Sequence, residues 1–136
     1  MFKILKYEYF ISKKLLPKDF IYPSVYIEFV SQDKPYDMDV EPWHFFCSHL
    51  DYRFEGLKKR YPDKILIPFA RRGDNDDVAC FDGSQKSDDP KVLIIHDFAT
   101  NGWENRGECE NFPAWLKMAE AESLEWKQYM LSKRHG

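Results

Sequence analysis

The chain has 136 residues, 20 Lys+Arg against 23 Asp+Glu for a net charge of −3, 43% hydrophobic residues and 17% aromatic ones. A chain of this length buries about two-thirds of its unfolded surface around one core, so it needs no disulfide or metal as a staple, and its aromatic content excludes a disordered or low-complexity chain. The near-neutral total supplies no general attraction to nucleic acid or to an anionic membrane.

Residues 2–15 mix apolar and basic positions and fit either a helix or an edge strand. Pro23 before Ser24–Val30 fits a short helix, because proline is tolerated in a first turn, although the β-branched content fits a strand nearly as well. Residues 31–42 are turn-rich and read as a connection. From Trp43 to Tyr61 the positions Phe46, Leu50, Phe54 and Leu57 recur at helical spacing. Arg53, Lys58, Lys59 and Arg60 give this predicted helix a positive C-terminal end, and Pro62 stops it. Three short strands are predicted at Ile65–Ala70, Val78–Phe81 and Lys91–His96, separated by the turn residues Gly73-Asp74-Asn75 and Asp82-Gly83-Ser84. Connections this short favour antiparallel pairing, and Pro68, which cannot donate to a ladder, marks a bulge or an edge. Residues 97–110 read as a loop. A final helix follows, with Asn111 as N-cap, Pro113 in the first turn, and a stripe of Phe112, Trp115, Leu116 and Ala119 continued by Trp126 and Met130. Helices at the ends and strands in the middle predict an α+β fold, with the whole of 1–136 as one domain.

Charge is unevenly placed. Residues 73–110 hold seven Asp and three Glu against Lys86, Lys91 and Arg106, a local net of −7, which leaves +4 for the rest of the chain. Turn chemistry accounts for part of this, since Asp caps and bends the backbone locally; an interaction surface is the other reading.

No constellation of catalytic chemistry stands out. Cys47, Cys80 and Cys109 are separated by 33 and 29 residues and form neither a disulfide framework nor a CxxC zinc knuckle, and their odd number fits a reducing compartment. His44 and His49, five apart, do not share a helical face, and HExxH is absent; His96 and Asp97 before the loop holding Cys109 read as packed or solvated. Asp74-Asn75-Asp76-Asp77 has the composition of a calcium loop without its alternating ligands, central glycine or bidentate Glu. There is no GxSxG elbow and no glycine-rich phosphate loop, and Asp76 and Asp77, adjacent on a strand, point to opposite faces. The basic clusters Lys58-Lys59-Arg60 and Arg71-Arg72 adjoin acidic sequence, so direct nucleic-acid binding is not expected. Lys3, Lys6 and Glu8 break the N-terminal apolar stretch, and runs such as Val92–Ile95 fall far short of the roughly 20 residues that span a bilayer. The expected location is cytoplasmic, with no cofactor, metal or membrane contact.

What remains is a surface. If the strand-connecting loops and the 97–110 loop meet at one end of the sheet, Asp74, Asp76, Asp77, Asp82 and Glu104 form an acidic patch with Trp103 as an aromatic anchor. Such a patch steers and holds a basic protein partner. On this reading charge reversal at Asp76 and Asp77 slows association and leaves folding intact. The competing reading is that Trp103 covers the edge of the core.

Residues 61–115 also resemble a known family. The strand ending Ile67-Pro68-Phe69-Ala70, the turn Gly73-Asp74-Asn75-Asp76, the strand Asp77–Asp82, the strand Val92–Ile95, and a helix opening with Phe112 and Trp115-Leu116 together resemble the Smi/Knr-like branch of the SUKH superfamily, as does Glu41-Pro42-Trp43. Asn75-Asp76 stands where many relatives have Gly-Asp. The match covers residues 41–117, with the first forty matched only loosely, through Tyr26–Val30. The resemblance implies a central, mostly antiparallel sheet flanked by helices, with Pro68, Phe69, Phe81, Phe112 and Trp115 structural and no catalytic residues. It further implies a bacterial immunity protein that binds and neutralises a cognate toxin, or a regulatory scaffold like the fungal relatives in cell-wall synthesis. The leading expectation is an immunity protein for a basic toxin, such as a nuclease; an uncharacterised enzyme is the third reading.

Overall fold

Between Leu66 and His96 successive side chains alternate between two buried faces, the pattern of a sheet covered on both sides. In a computed structural model of the chain, describing residues 7–32, 39–100 and 102–135, this sheet has five antiparallel strands: β1 (Trp43–Phe45), β2 (Leu66–Arg72), β3 (Asp77–Asp82), β4 (Val92–His96) and β5 (Asn105–Cys109). Their order in the sheet is their order in the chain. Three helices complete an α+β fold: α1 (Ser24–Val30), α2 (Leu50–Arg60) and the long α3 (Phe112–His135). Among the described residues no helix is long and apolar enough to cross a membrane.

Ile67, Phe69, Ala79, Phe81, Val92 and Ile94 line one face with Tyr26 and Val30 of α1 and Phe112, Trp115 and Ala119 of α3. Leu66, Val78, Cys80 and Ile95 line the other with Leu57 and Tyr61, which α2 brings down on it. The aromatic richness of the chain is spent mainly on the first face. Phe69 and Phe81 stack with centroids 4.5 Å apart, Trp115 meets Phe69 edge-on at 4.8 Å, and Tyr26 meets Phe81 and Phe112 edge-on at 5.2 and 5.4 Å. Offset and edge-to-face pairs of this kind each contribute about 0.5–1.5 kcal/mol beyond the area they bury. Burial holds the Tyr26 phenol neutral by raising its pKa, and its hydroxyl is satisfied by donating to the Tyr9 carbonyl at 2.7 Å.

Local chemistry sets the helix boundaries. The alternatives left open for 24–30 resolve as a helix, since Tyr26 and Val30 are both fully buried and fall four apart on one face. Asn111 caps α3, its side-chain oxygen accepting from the Ala114 amide at 3.0 Å. A helix of 24 residues is about 36 Å long. Strands of five to seven residues span about 17–24 Å, so the last turns of α3 project past the sheet. The apolar stripe accordingly ends at half-buried Trp126, and Met130, expected to continue it, is exposed. Glu122 pins this half of the helix by accepting from Trp43 Nε1 at 3.2 Å and Arg72 Nη1 at 2.7 Å.

Two expected boundaries are corrected. The helical spacing from Trp43 holds only from Leu50: Trp43–Phe45 is a strand paired with Ala70–Arg72, and Phe46 follows it, donating to the Phe69 carbonyl at 2.9 Å. Three residues are too few to display strand alternation, and the open edge of β2 gains its ladder partner from them. The loop expected at 97–110 contains β5, whose residues are exposed except for half-buried Cys109. Backbone pairing and the ion pairs of Arg106 and Glu108 hold that strand with little burial, so no apolar pattern announces it. Pro68 does sit at a bulge, where the β2–β3 register shifts between Pro68 and Ala70, but β2 is an interior strand. The opening of the 2–15 segment and half of the 31–42 connection lie outside the described residues.

Trp115→Ala is expected to cost about 3–5 kcal/mol in urea unfolding, whereas Met130→Ala, on the same helix beyond the sheet, should stay within about 0.5 kcal/mol of the parent.

Candidate functional site

Antiparallel pairing brings the β2–β3 turn (73–76) and the β4–β5 connection (97–104) to one end of the sheet, because Asp77 pairs with His96. Asp74, Asp76, Asp77, Trp103 and Glu104 therefore share that end. Asp82 does not: it closes β3 at the far end, about 17 Å away, where it accepts from the Ser84 amide in its own turn.

The carboxylates at the shared end are not equivalent. Asp74 is held by Arg72 at 2.8 Å, and that guanidinium also bonds Glu122. Burial works against the charge on Arg72, but its bonds and pairing with Asp74 and Glu122 prevail and raise its pKa. Asp77 is buried, 2.8 Å from His96 Nδ1 and 3.3 Å from Arg106 Nε, with its own amide donating to Asn75 Oδ1. Reversing the charge of Asp77 would strand Arg106 and remove the hydrogen-bond partner of His96, so this position does not report on association alone, and the expectation that reversal leaves folding intact is kept for Asp76. Asp76 is exposed and has no side-chain partner among the described residues, while its carbonyl accepts from the Asp97 amide at 2.9 Å. Glu104 is half-buried, and its buried Oε2 has no hydrogen-bond partner. Trp103 is 75% exposed and covers no core edge.

The group that organises this end is Asp97, which the sequence offers only beside His96 as a candidate metal ligand. Its carboxylate is wholly buried. Arg60 grips it with Nε on Oδ1 and Nη2 on Oδ2, both at 2.7 Å, and Arg53 Nη1 reaches Oδ2 at 3.2 Å. The Tyr61 hydroxyl donates to Oδ1 at 3.3 Å, and burial followed by the charge of Asp97 raises the phenol's pKa. Phe98 comes next with φ of 65°, a left-handed conformation that strains a bulky residue. Its amide is directed at Asp97 Oδ1 (3.0 Å) and the Tyr61 hydroxyl oxygen (3.1 Å), and its ring lies under the Arg60 guanidinium, 4.1 Å from the centroid. The ring is 65% exposed. Gly56 makes room for this arrangement: a Cβ there would lie 2.9 Å from Arg60 Nη1. Arg53, Gly56 and Arg60 share a helix face at spacings of three and four; that spacing is visible in the sequence, but the carboxylate it meets is not.

Between α2, β1 and Phe98 runs a half-open groove of ≈ 990 Å³, lined among others by His44, Tyr52, Arg53, Lys59, Arg60 and Arg71. Exposed Cys47 also lines it, whereas burial pushes the Cys80 thiol well up and leaves it a packing residue. Among the described residues no three His, Cys, Asp or Glu side chains are grouped as a metal site would require. Comparison with protein-family models, with curated proteins and with solved structures finds no match in any of the three.

Removing Arg60 leaves a buried charge short of its main partner. Arg60→Met and Asp97→Asn should each destabilise by about 2–4 kcal/mol in denaturant unfolding, and the double variant by clearly less than their sum. Gly56→Ala, favoured by about 1 kcal/mol on helix propensity, should destabilise the parent and stabilise the Arg60→Met background.

Proposed function

We propose that the chain is a non-enzymatic protein-binding domain of the immunity type, neutralising a cognate toxin with the end of the sheet that presents Asp76, Phe98 and Trp103. The observation that carries the reading is a pair of exposed aromatic rings on one connection, whose base is clamped by the buried Asp97 network. A ring held in place before binding loses little conformational entropy on docking, and aromatic side chains dominate the energetics of interfaces. The motif order over residues 41–117, with its resemblance to the SUKH superfamily, supports a role in immunity among the binding roles open to such a surface.

Asp76 and half-buried Glu104 add negative charge beside the rings and favour a basic partner, such as a nuclease toxin. The proposed contacts are thus Asp76, Trp103 and Glu104 of the expected set, with Phe98 added. Asp74 and Asp77 serve the domain's own ion pairs, and Asp82 stands at the other end.

The test is co-expression with any toxin that a neighbouring gene encodes, scored by growth and by binding of the purified pair. Trp103→Ala should weaken binding by about 2 kcal/mol or more, near thirtyfold, with unfolding unchanged within about 0.5 kcal/mol. Asp76→Lys should slow association at low salt and lose that effect as salt rises. Undiminished binding and protection by Trp103→Ala would remove this end of the sheet from the interface. A housekeeping protein bound in place of the toxin would favour the regulatory-scaffold reading.

A further inference from the structure

Asp97 carries one negative charge and holds two guanidiniums, for Arg53 Nη1 and Arg60 Nη2 bond the same oxygen. The pair is therefore one positive charge in excess. Arg71 and Lys59, which line the same groove, have no charged partner among the described residues. Against these four bases the groove sets only Asp97 and Glu55, a net of two positive charges. Arg53 and Arg60 remain partly exposed and are oriented from beneath by the buried carboxylate. Their planar N–H edges not used on Asp97 suit carboxylate recognition. Phe98 and Tyr52 place exposed rings on the walls.

We propose that this groove docks an acidic segment of the protein partner, its Asp or Glu side chains taken by Arg53, Arg60 and Arg71 while a neighbouring apolar side chain covers Phe98. The proposal deepens the protein-binding reading and rests on it. Three observations select this occupant. The groove is open along one side, so a small anion would stay largely hydrated, whereas a protein segment brings its own apolar cover. A net of two positive charges is too little for duplex DNA, which presents one negative charge about every 1.7 Å, and on the other side of Arg60 Asp63 and Glu104 outnumber Lys64, so the basic surface does not continue there. Arginine with exposed aromatics is also the composition of interface hot spots. The partner then meets two signs of charge on this domain, negative at Asp76 and positive in the groove, which fixes its orientation as well as its affinity.

The full chain, isotopically labelled, is titrated with three probes: a short blocked peptide of alternating Glu and Phe, the same peptide with Gln for Glu, and a short single-stranded DNA. The Glu peptide should bind saturably and shift the amide signals of the groove, those of His44–Arg53, Arg71 and Phe98. The Gln peptide should bind at least about tenfold more weakly, because the charge-assisted bonds are lost. Arg71→Glu, chosen because it does not touch Asp97, should weaken the Glu peptide about tenfold or more without moving the unfolding midpoint. Equal binding of the Gln peptide, shifts confined to other surfaces, or tighter binding of the DNA would each overturn the proposal. The probes need no toxin. Groove binding in a domain that fails to protect cells would therefore remove only the toxin, and protection without groove binding would remove only the groove.

Discussion

A wholly buried carboxylate is costly: desolvating it takes several kcal/mol, which only good partners offset. Asp97 finds them by drawing α2 onto the end of β4 through Arg53, Arg60 and Tyr61. Much else at this end follows from that closure. Arg60 must fold back along its own helix, so a glycine stands at position 56 where propensity would prefer alanine. Phe98 is turned outward in a left-handed conformation, and the hydrogen bonds to its amide and the guanidinium over its ring offset the strain. The groove exists because the same helix that closes over Asp97 stands away from β1.

The local charge of −7 across residues 73–110 is in part taken up by the domain's own ion pairs. Asp97 and Asp74 meet arginines from outside the segment, Arg53, Arg60 and Arg72, while Asp77 meets His96 and Arg106 within it. Among the bases outside the segment are the other half of these pairs and, in Arg71 and Lys59, the uncompensated part of the groove. Charge counted along the sequence located a region of electrostatic importance but not its direction, because pairing across elements reverses the sign a partner meets.

The strands of the meander, the turn chemistry between them, the N-cap at Asn111 and the buried stripe of α3 were legible because each rests on local rules: alternation, turn residues, capping and helical spacing. β1 and β5 were not, since one is too short to alternate and the other buries almost nothing. The site was half legible. Trp103 and Asp76 could be placed at a sheet end once the hairpins were read. The Asp97 clamp could not, because it joins residues 37 and 44 positions apart whose encounter depends on how α2 packs. A run of bases at a helix end looks the same in sequence whether water or a buried carboxylate receives it.

Strand order that repeats chain order also bears on how the molecule forms. From β2 onward each strand pair closes a short connection, so much of the entropic cost of ordering is met in small increments, and such local topologies fold quickly for their size. The exception is α3, which follows the sheet in the chain yet completes a face begun at Tyr26. During synthesis, Phe69 and Phe81 are therefore made before Phe112 and Trp115, which complete their cover. For that interval the aromatic face is covered only from the Tyr26 side, and its vulnerability to misassembly is set by how soon the last helix arrives.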